Sequence, residues 1–96
     1  MPKGYWVSCY REVKDPEALA AYAELAGPAV AQHGGRMLAR GGQVTAYEAG
    51  LANRTVVIEF DSYDQALAAR ESDEYAAALE RLEGAVVRDF RVVEGV

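Results

Sequence analysis

A single cysteine, Cys9, leaves the chain no partner for an internal disulfide, and a reducing compartment is its natural setting. A single histidine, His33, with no acidic residues at ligand spacing, offers no metal site. No apolar run approaches the ~18–20 residues that cross a bilayer, and Met1-Pro2-Lys3-Gly4 lacks the apolar core of a signal peptide. A soluble, cytoplasmic protein is the expectation. Basic clusters are missing too. The positive residues are scattered (Arg36, Arg40 and Arg54, then Arg70, Arg81, Arg88 and Arg91 among them) and the net charge is −5, so nucleic acid, which needs a basic footprint, is not an expected partner. Neither a nucleophile elbow nor a phosphate loop occurs: Gly34-Gly35 and Gly41-Gly42 lack the spacing and the helix start, and no cofactor is implied.

What remains is a chain of 96 residues, half hydrophobic and a quarter charged, the composition of an ordinary globular protein. One domain over 1–96 is expected. A chain this short buries only about two thirds of its unfolded surface and gains from a partner.

The stretch Arg54 to Gln65 organises the rest. Val56, Ile58 and Phe60 alternate with Thr55, Val57, Glu59 and Asp61, the period of two by which a strand buries one face. Ser62, with Gln65 three residues on, has the capping-box pattern of a helix start. Tyr5 to Arg11 reads as a first strand with apolar groups on both faces: Tyr5, Val7 and Cys9 on one, Trp6 and Tyr10 on the other. That pattern suits a central strand. Asp15-Pro16 starts a helix, with Asp as N-cap and Pro at the first helical position. Gly27-Pro28 should kink or split it, and His33-Gly34-Gly35 ends it. Arg36 to Tyr47 reads as a second strand, weakened at Gly41-Gly42 where paired glycines suggest a bulge or a close backbone approach, and closed by a hairpin loop over Glu48 to Asn53. A helical region runs from Tyr63 to about Leu82, with a fresh N-cap at Ser72-Asp73 and a break near Glu71. Ala85 to Glu94 is the last strand, with Phe90, Val92 and Val93 as its apolar content.

The order β-α-β-β-α-β is the split βαβ, or ferredoxin-like, α+β arrangement: an antiparallel sheet with its helices on one face. With Val56, Ile58 and Phe60 spent against the helices, Val57 and Glu59 lie on the bare face, joined by Trp6 or Tyr5 according to the register of strand one. A bare face with apolar content calls for a second layer, most simply another copy, so a homodimer through the sheet face is expected.

Gly4-Tyr5-Trp6, Arg40-Gly41-Gly42, Val57-Ile58-Glu59-Phe60 followed by Ser62, Ser72-x-Glu74-Tyr75 and Val93-Glu94-Gly95, in this order, resemble the family catalogued as domain of unknown function 1330, over nearly the whole chain. The resemblance implies a ferredoxin-like fold of the dimeric α/β-barrel superfamily, in which two sheets face each other around a central space. That superfamily holds cofactor-free monooxygenases, haem-handling enzymes, lactone isomerases and members without known chemistry; the family itself has no assigned reaction. Gly27-Pro28, and Asp61 where a proline often stands, depart from its pattern.

Glu59 interrupts an apolar strand on the face expected to line the inter-subunit space, where a carboxylate is costly unless paired or used. It reads as an ion pair with an arginine across the dimer, or as a general base or ligand anchor. Counting back from the hairpin loop puts Arg40 opposite the end of strand three, near Asp61 and Ser62, as an anion anchor or half of a structural ion pair. His33, at the end of the first helix, makes a dipole contact or joins Arg40 and Asp61 at one rim. Trp6, Tyr22 and Tyr10 pack the core or line an aromatic pocket, and Cys9 reads as an inert buried thiol. Two functions from different classes follow. One is a small-molecule binding protein or cofactor-free enzyme with Glu59 and Arg40 as polar anchors and Trp6 and Tyr22 as walls. The other is a non-catalytic dimerisation or sequestration module.

Overall fold

The computed structural model describes residues 2–96, which form β1 (Gly4–Val13), α1 (Pro16–Gln32), β2 (Arg36–Arg40), β3 (Thr55–Phe60), α2 (Tyr63–Arg70), α3 (Asp73–Leu82) and β4 (Val86–Glu94). The strands make one antiparallel sheet in the order β2-β3-β1-β4, with the helices on one face. This is the ferredoxin-like arrangement, its second helix broken into α2 and α3 at Ser72. β1 is central, as its two apolar faces require. Val56, Ile58 and Phe60 are buried under the helices, and Tyr5 pairs with Glu59, so Tyr5 joins Val57 and Glu59 on the bare face while Trp6 goes to the core. No helix among the described residues is long and apolar enough to cross a membrane.

Side-chain caps set the helix starts. Asp15 accepts from the backbone N–H of Glu17 (3.1 Å) and Ala18 (3.2 Å), with Pro16 in the first turn. Ser62 Oγ accepts from Gln65 N at 3.1 Å, and Ser72 Oγ from Tyr75 N at 3.2 Å. The capping box is only half made. Gln65 Nε2 instead donates to the carbonyl of His33 at 2.8 Å, tying α2 to the end of α1.

Three local expectations are corrected. α1 is not split at Gly27-Pro28 but runs unbroken from Pro16 to Gln32; Tyr22 and Ala26 before the proline and Ala29 and Val30 after it are all buried, and this packing keeps both halves helical. β2 stops at Arg40, because Gly41 takes a left-handed φ of +71° and turns the chain out of the sheet; the connection to β3 therefore begins there and not at Glu48. The bulge lies earlier, between Met37 and Ala39.

The core is aromatic. Trp6, Tyr75 and Phe60 are its largest fully buried side chains, and Trp6 Nε1 donates to the Ala66 carbonyl at 2.8 Å. Gly4 lets β1 approach the start of α2: a Cβ there would stand 2.4 Å from Ser62 O and 2.7 Å from Tyr63 Cα, both backbone. Gly4→Ala should therefore destabilise the fold by about 2 kcal/mol, read as a lower urea midpoint at unchanged slope. An unchanged midpoint would show that this corner yields freely.

Candidate functional site

On the bare face, Glu59 is closed within its own chain. Tyr5 donates its hydroxyl to Glu59 Oε2 at 3.0 Å, and Arg36 Nε and Nη2 each lie 3.1 Å from Oε1. Arg36 Nη2 also reaches Asp61 at 3.1 Å, and Lys3 stands 3.6 Å from that carboxylate. The arginine that meets Glu59 is thus Arg36 of the same chain, set there by the pairing of Arg36 with Glu59, and no arginine across a dimer is needed. The Tyr5 hydroxyl and the Arg36 guanidinium hold the Glu59 carboxyl below its ordinary pKa. In the acid range the unfolded chain binds the extra proton, so this stabilisation is complete above about pH 5 and is lost as pH falls through the folded value. Melting temperatures of Glu59→Gln should accordingly depend less steeply on pH below about 5 than those of the wild type. Asp89, lowered by Arg91, keeps a residual slope in both. Parallel curves would remove the pairing argument.

His33 does not join Arg40 and Asp61. Its Nε2 lies 2.7 Å from Glu74 Oε1, so it clasps the end of α1 to the start of α3. Arg40 is not near Asp61 either. It pairs with Val56 at the beginning of β3, because β2 ends at Arg40 and the residue nearest a connection meets the start of the following strand. That register puts Arg40 on the helix side of the sheet.

There it meets a cleft. α1 packs chiefly on α3 and stands off the sheet, and its small residues Ala23, Ala26 and Gly27 face the gap. Trp6, Tyr10, Tyr22, Met37 and Ile58 also line it, as do three arginines: Arg88 and Arg54, whose guanidinium groups stand over the Tyr10 ring, and the exposed Arg40. The free space is about 50 Å³, room for a few waters or one small polar group, with an open mouth beyond. Two broader depressions, of about 250 and 560 Å³, lack this chemistry: the first holds Arg11 already facing Asp89 at 3.7 Å, and the second touches only Arg40.

Arg88 dominates the cleft. Its Nη1 donates to Ser8 Oγ (3.4 Å), Tyr10 OH (3.3 Å) and Tyr22 OH (3.2 Å), and its Nη2 to Tyr75 OH (3.0 Å). Among the described residues no carboxylate lies within 4.0 Å of Arg88, Arg54 or Arg40. Burial disfavours the Arg88 charge; the Tyr22 and Tyr75 oxygens act the other way and raise its pKa. They carry a counter-charge only where those phenols ionise, so at neutral pH Arg88 has hydrogen-bond acceptors and, among the described residues, no counter-ion. The Tyr22 phenol is pushed well above its ordinary value, by burial first and then by Tyr75, 2.6 Å away, so it is a donor and not a base at neutral pH. A hydroxyl that accepts from Arg88 keeps its own proton for another acceptor. The arrangement is therefore a cationic, proton-donating recess with apolar walls, suited to a carboxylate.

Of the residues that the sequence singles out, Trp6, Tyr22 and Arg40 come together at this cleft; Glu59 lies on the opposite face and His33 outside it. Arg88 is not among them. A local signal for it exists: Arg88, Phe90 and Val92 alternate along β4, so an arginine occupies the row that faces the core.

A family model for Domain of unknown function (DUF1330) matches residues 3–96. The chain belongs to this family. No curated protein matches the sequence. A DUF1330-family chain of this shape has several solved likenesses. A protein of unknown function from Rhodopseudomonas palustris superposes with a TM-score of 0.75 at 18% identity, covering 99% of this chain and 83% of that one. A dimeric protein of unknown function and ferredoxin-like fold from Bacteroides fragilis gives 0.63 at 15% identity, covering 96% and 95%. A Nitrosomonas europaea protein provisionally described as an antibiotic biosynthesis monooxygenase gives 0.57 at 17%, covering 99% and 90%. At these identities the likeness is one of fold.

Proposed function

We propose that this protein is a cytoplasmic homodimer that binds a small organic acid in the cleft between α1 and the sheet. One observation carries the ligand class: Arg88 sits among phenols and a serine with no carboxylate beside it among the described residues, in a chain with 15 acidic and 10 basic side chains. A half-buried cation left unpaired in an acidic protein is costly unless a ligand supplies the counter-charge. Arg40, Trp6 and Tyr22 belong to this reading as rim and walls, while Glu59 and His33 hold the fold. The homodimer rests on the bare face, where Tyr5, Val7, Val57 and the half-exposed Val93 form an apolar band beside ion pairs, and on the dimeric Bacteroides fragilis relative in fold. The reducing setting rests on the free thiol of Cys9.

Dimerisation without a ligand is the second reading, favoured by the closure of Glu59 within its own chain and by the small volume of the cleft. Native mass spectrometry of protein purified gently from its host, followed by titration with butyrate and benzoate, separates the two. A dimer that retains an acid, or binds one with shifts at Arg88 and Tyr22, supports the acid reading. A dimer that takes up neither acid leaves only the second reading, and a monomer removes the dimer from both.

A further inference from the structure

Arg88 accounts for one cation of the cleft. The cleft wall holds a second unpaired cation. Arg54 Nε is buried and has no hydrogen-bond partner, and Arg54 makes no ion pair among the described residues. Its guanidinium carbon stands 5.9 Å from the centre of the Tyr10 ring, and that of Arg88 stands 5.6 Å from the same centre. Both charges therefore lie within about 12 Å of each other, with a phenol between or beneath them. Gly41 makes room for this placement: at its φ of +71°, a Cβ would stand 2.5 Å from Arg54 Nη1. Arg40 lines the same cleft, one residue before that glycine.

A single carboxylate on Arg88 would leave Arg54 uncompensated. We infer that the ligand carries two acidic groups: a short dicarboxylic acid with an apolar middle, one carboxylate in the free space beside Arg88 and the phenols, the remainder in the open mouth with its second carboxylate on Arg54 and the exposed Arg40. This rests on the acid-binding reading above and deepens it. The walls suit the middle of such a molecule, since Leu19, Ala23, Ala26 and Val30 of α1 face Met37 and Ile58 of the sheet. Two guanidinium groups at a fixed separation discriminate by chain length as well as by charge, because a bidentate pair demands geometry as well as sign.

Matched acids test it by calorimetry: succinate against butyrate, glutarate against valerate, phthalate against benzoate, each with the wild type, Arg54→Gln and Arg54→Lys. At least one diacid should bind tenfold or more tightly than its monoacid, and its affinity should fall more steeply with added salt. In Arg54→Gln the diacid-to-monoacid ratio should approach one, and Arg54→Lys should keep part of it. Circular dichroism confirms that each variant is folded; should Arg54→Gln fail to fold, Arg54→Lys and the wild-type ratios decide. Equal affinity for diacid and monoacid in the wild type overturns this inference and leaves the acid-binding reading intact. So does a preference that survives Arg54→Gln. Binding of neither class of acid overturns both.

Discussion

Trp6→Ala will lower the free energy of unfolding by about 4 kcal/mol and the melting temperature by roughly 20 °C. The indole is 2% exposed, and its ring centroid lies 5.1 Å from that of Phe60, 4.8 Å from Tyr75 and 5.2 Å from Phe90. Alanine would remove the hub of this cluster and leave a cavity between β1, β3, β4 and α3. It would also leave the Ala66 carbonyl without its side-chain donor. A protein of this size has only about 5–10 kcal/mol to lose, so the variant should sit near its unfolding transition at 37 °C. Trp6→Phe keeps the ring and loses the N–H; it should cost less than half as much. A small effect of Trp6→Ala in urea denaturation would mean that the helices can settle onto the sheet without it.

The second large effect is on binding. Arg88→Met should weaken the binding of butyrate or benzoate at least a hundredfold, the scale on which charge-assisted carboxylate pairs act in a sheltered site. Its effect on stability should be small, because two changes oppose. Ser8, Tyr10, Tyr22 and Tyr75 lose a charged donor, which destabilises; an uncompensated guanidinium leaves a half-buried recess, which stabilises. The hydroxyls of Tyr22 and Tyr75 already bond each other and lose least. Calorimetry with the acid and a thermal melt read both halves. Acid binding that survives while the melting temperature collapses would make Arg88 a structural strut.

Much of the fold is legible from local chemistry. The alternation of Val56, Ile58 and Phe60 assigns the faces of β3, Ser62 and Ser72 mark the starts of α2 and α3, and Asp15-Pro16 marks that of α1. These signals act within a few residues and survive into the structure because packing agrees with them. The misplacement of Arg40 has a different origin. Register is set by where the chain leaves the sheet, and a single left-handed glycine, Gly41, moves that point back from Tyr47 to Arg40. The bulge at Met37 and Ala39 shifts the count again. The cleft is less legible still, because the partners of Arg88 are 13 to 80 residues away in sequence. Only the tertiary fold brings four hydroxyls to one guanidinium. The helix-side row of Arg88, Phe90 and Val92 says that this arginine must be accommodated; it does not say by what.

The strand order also governs how the molecule is made. β1 is bonded on one side to β3 and on the other to β4, and the backbone bond from Gly95 N to Lys3 O, 2.7 Å long, fastens the first strand to the last. On the ribosome, β1 emerges first and must wait for β4. Until then the nascent chain carries an apolar strand with an open edge, and Trp6 and Tyr10 have no finished core to enter. Folding is held back by topology until β4 has been made, since the pairing of greatest sequence separation closes the sheet. A stall before Val86 would strand the chain in its most aggregation-prone form.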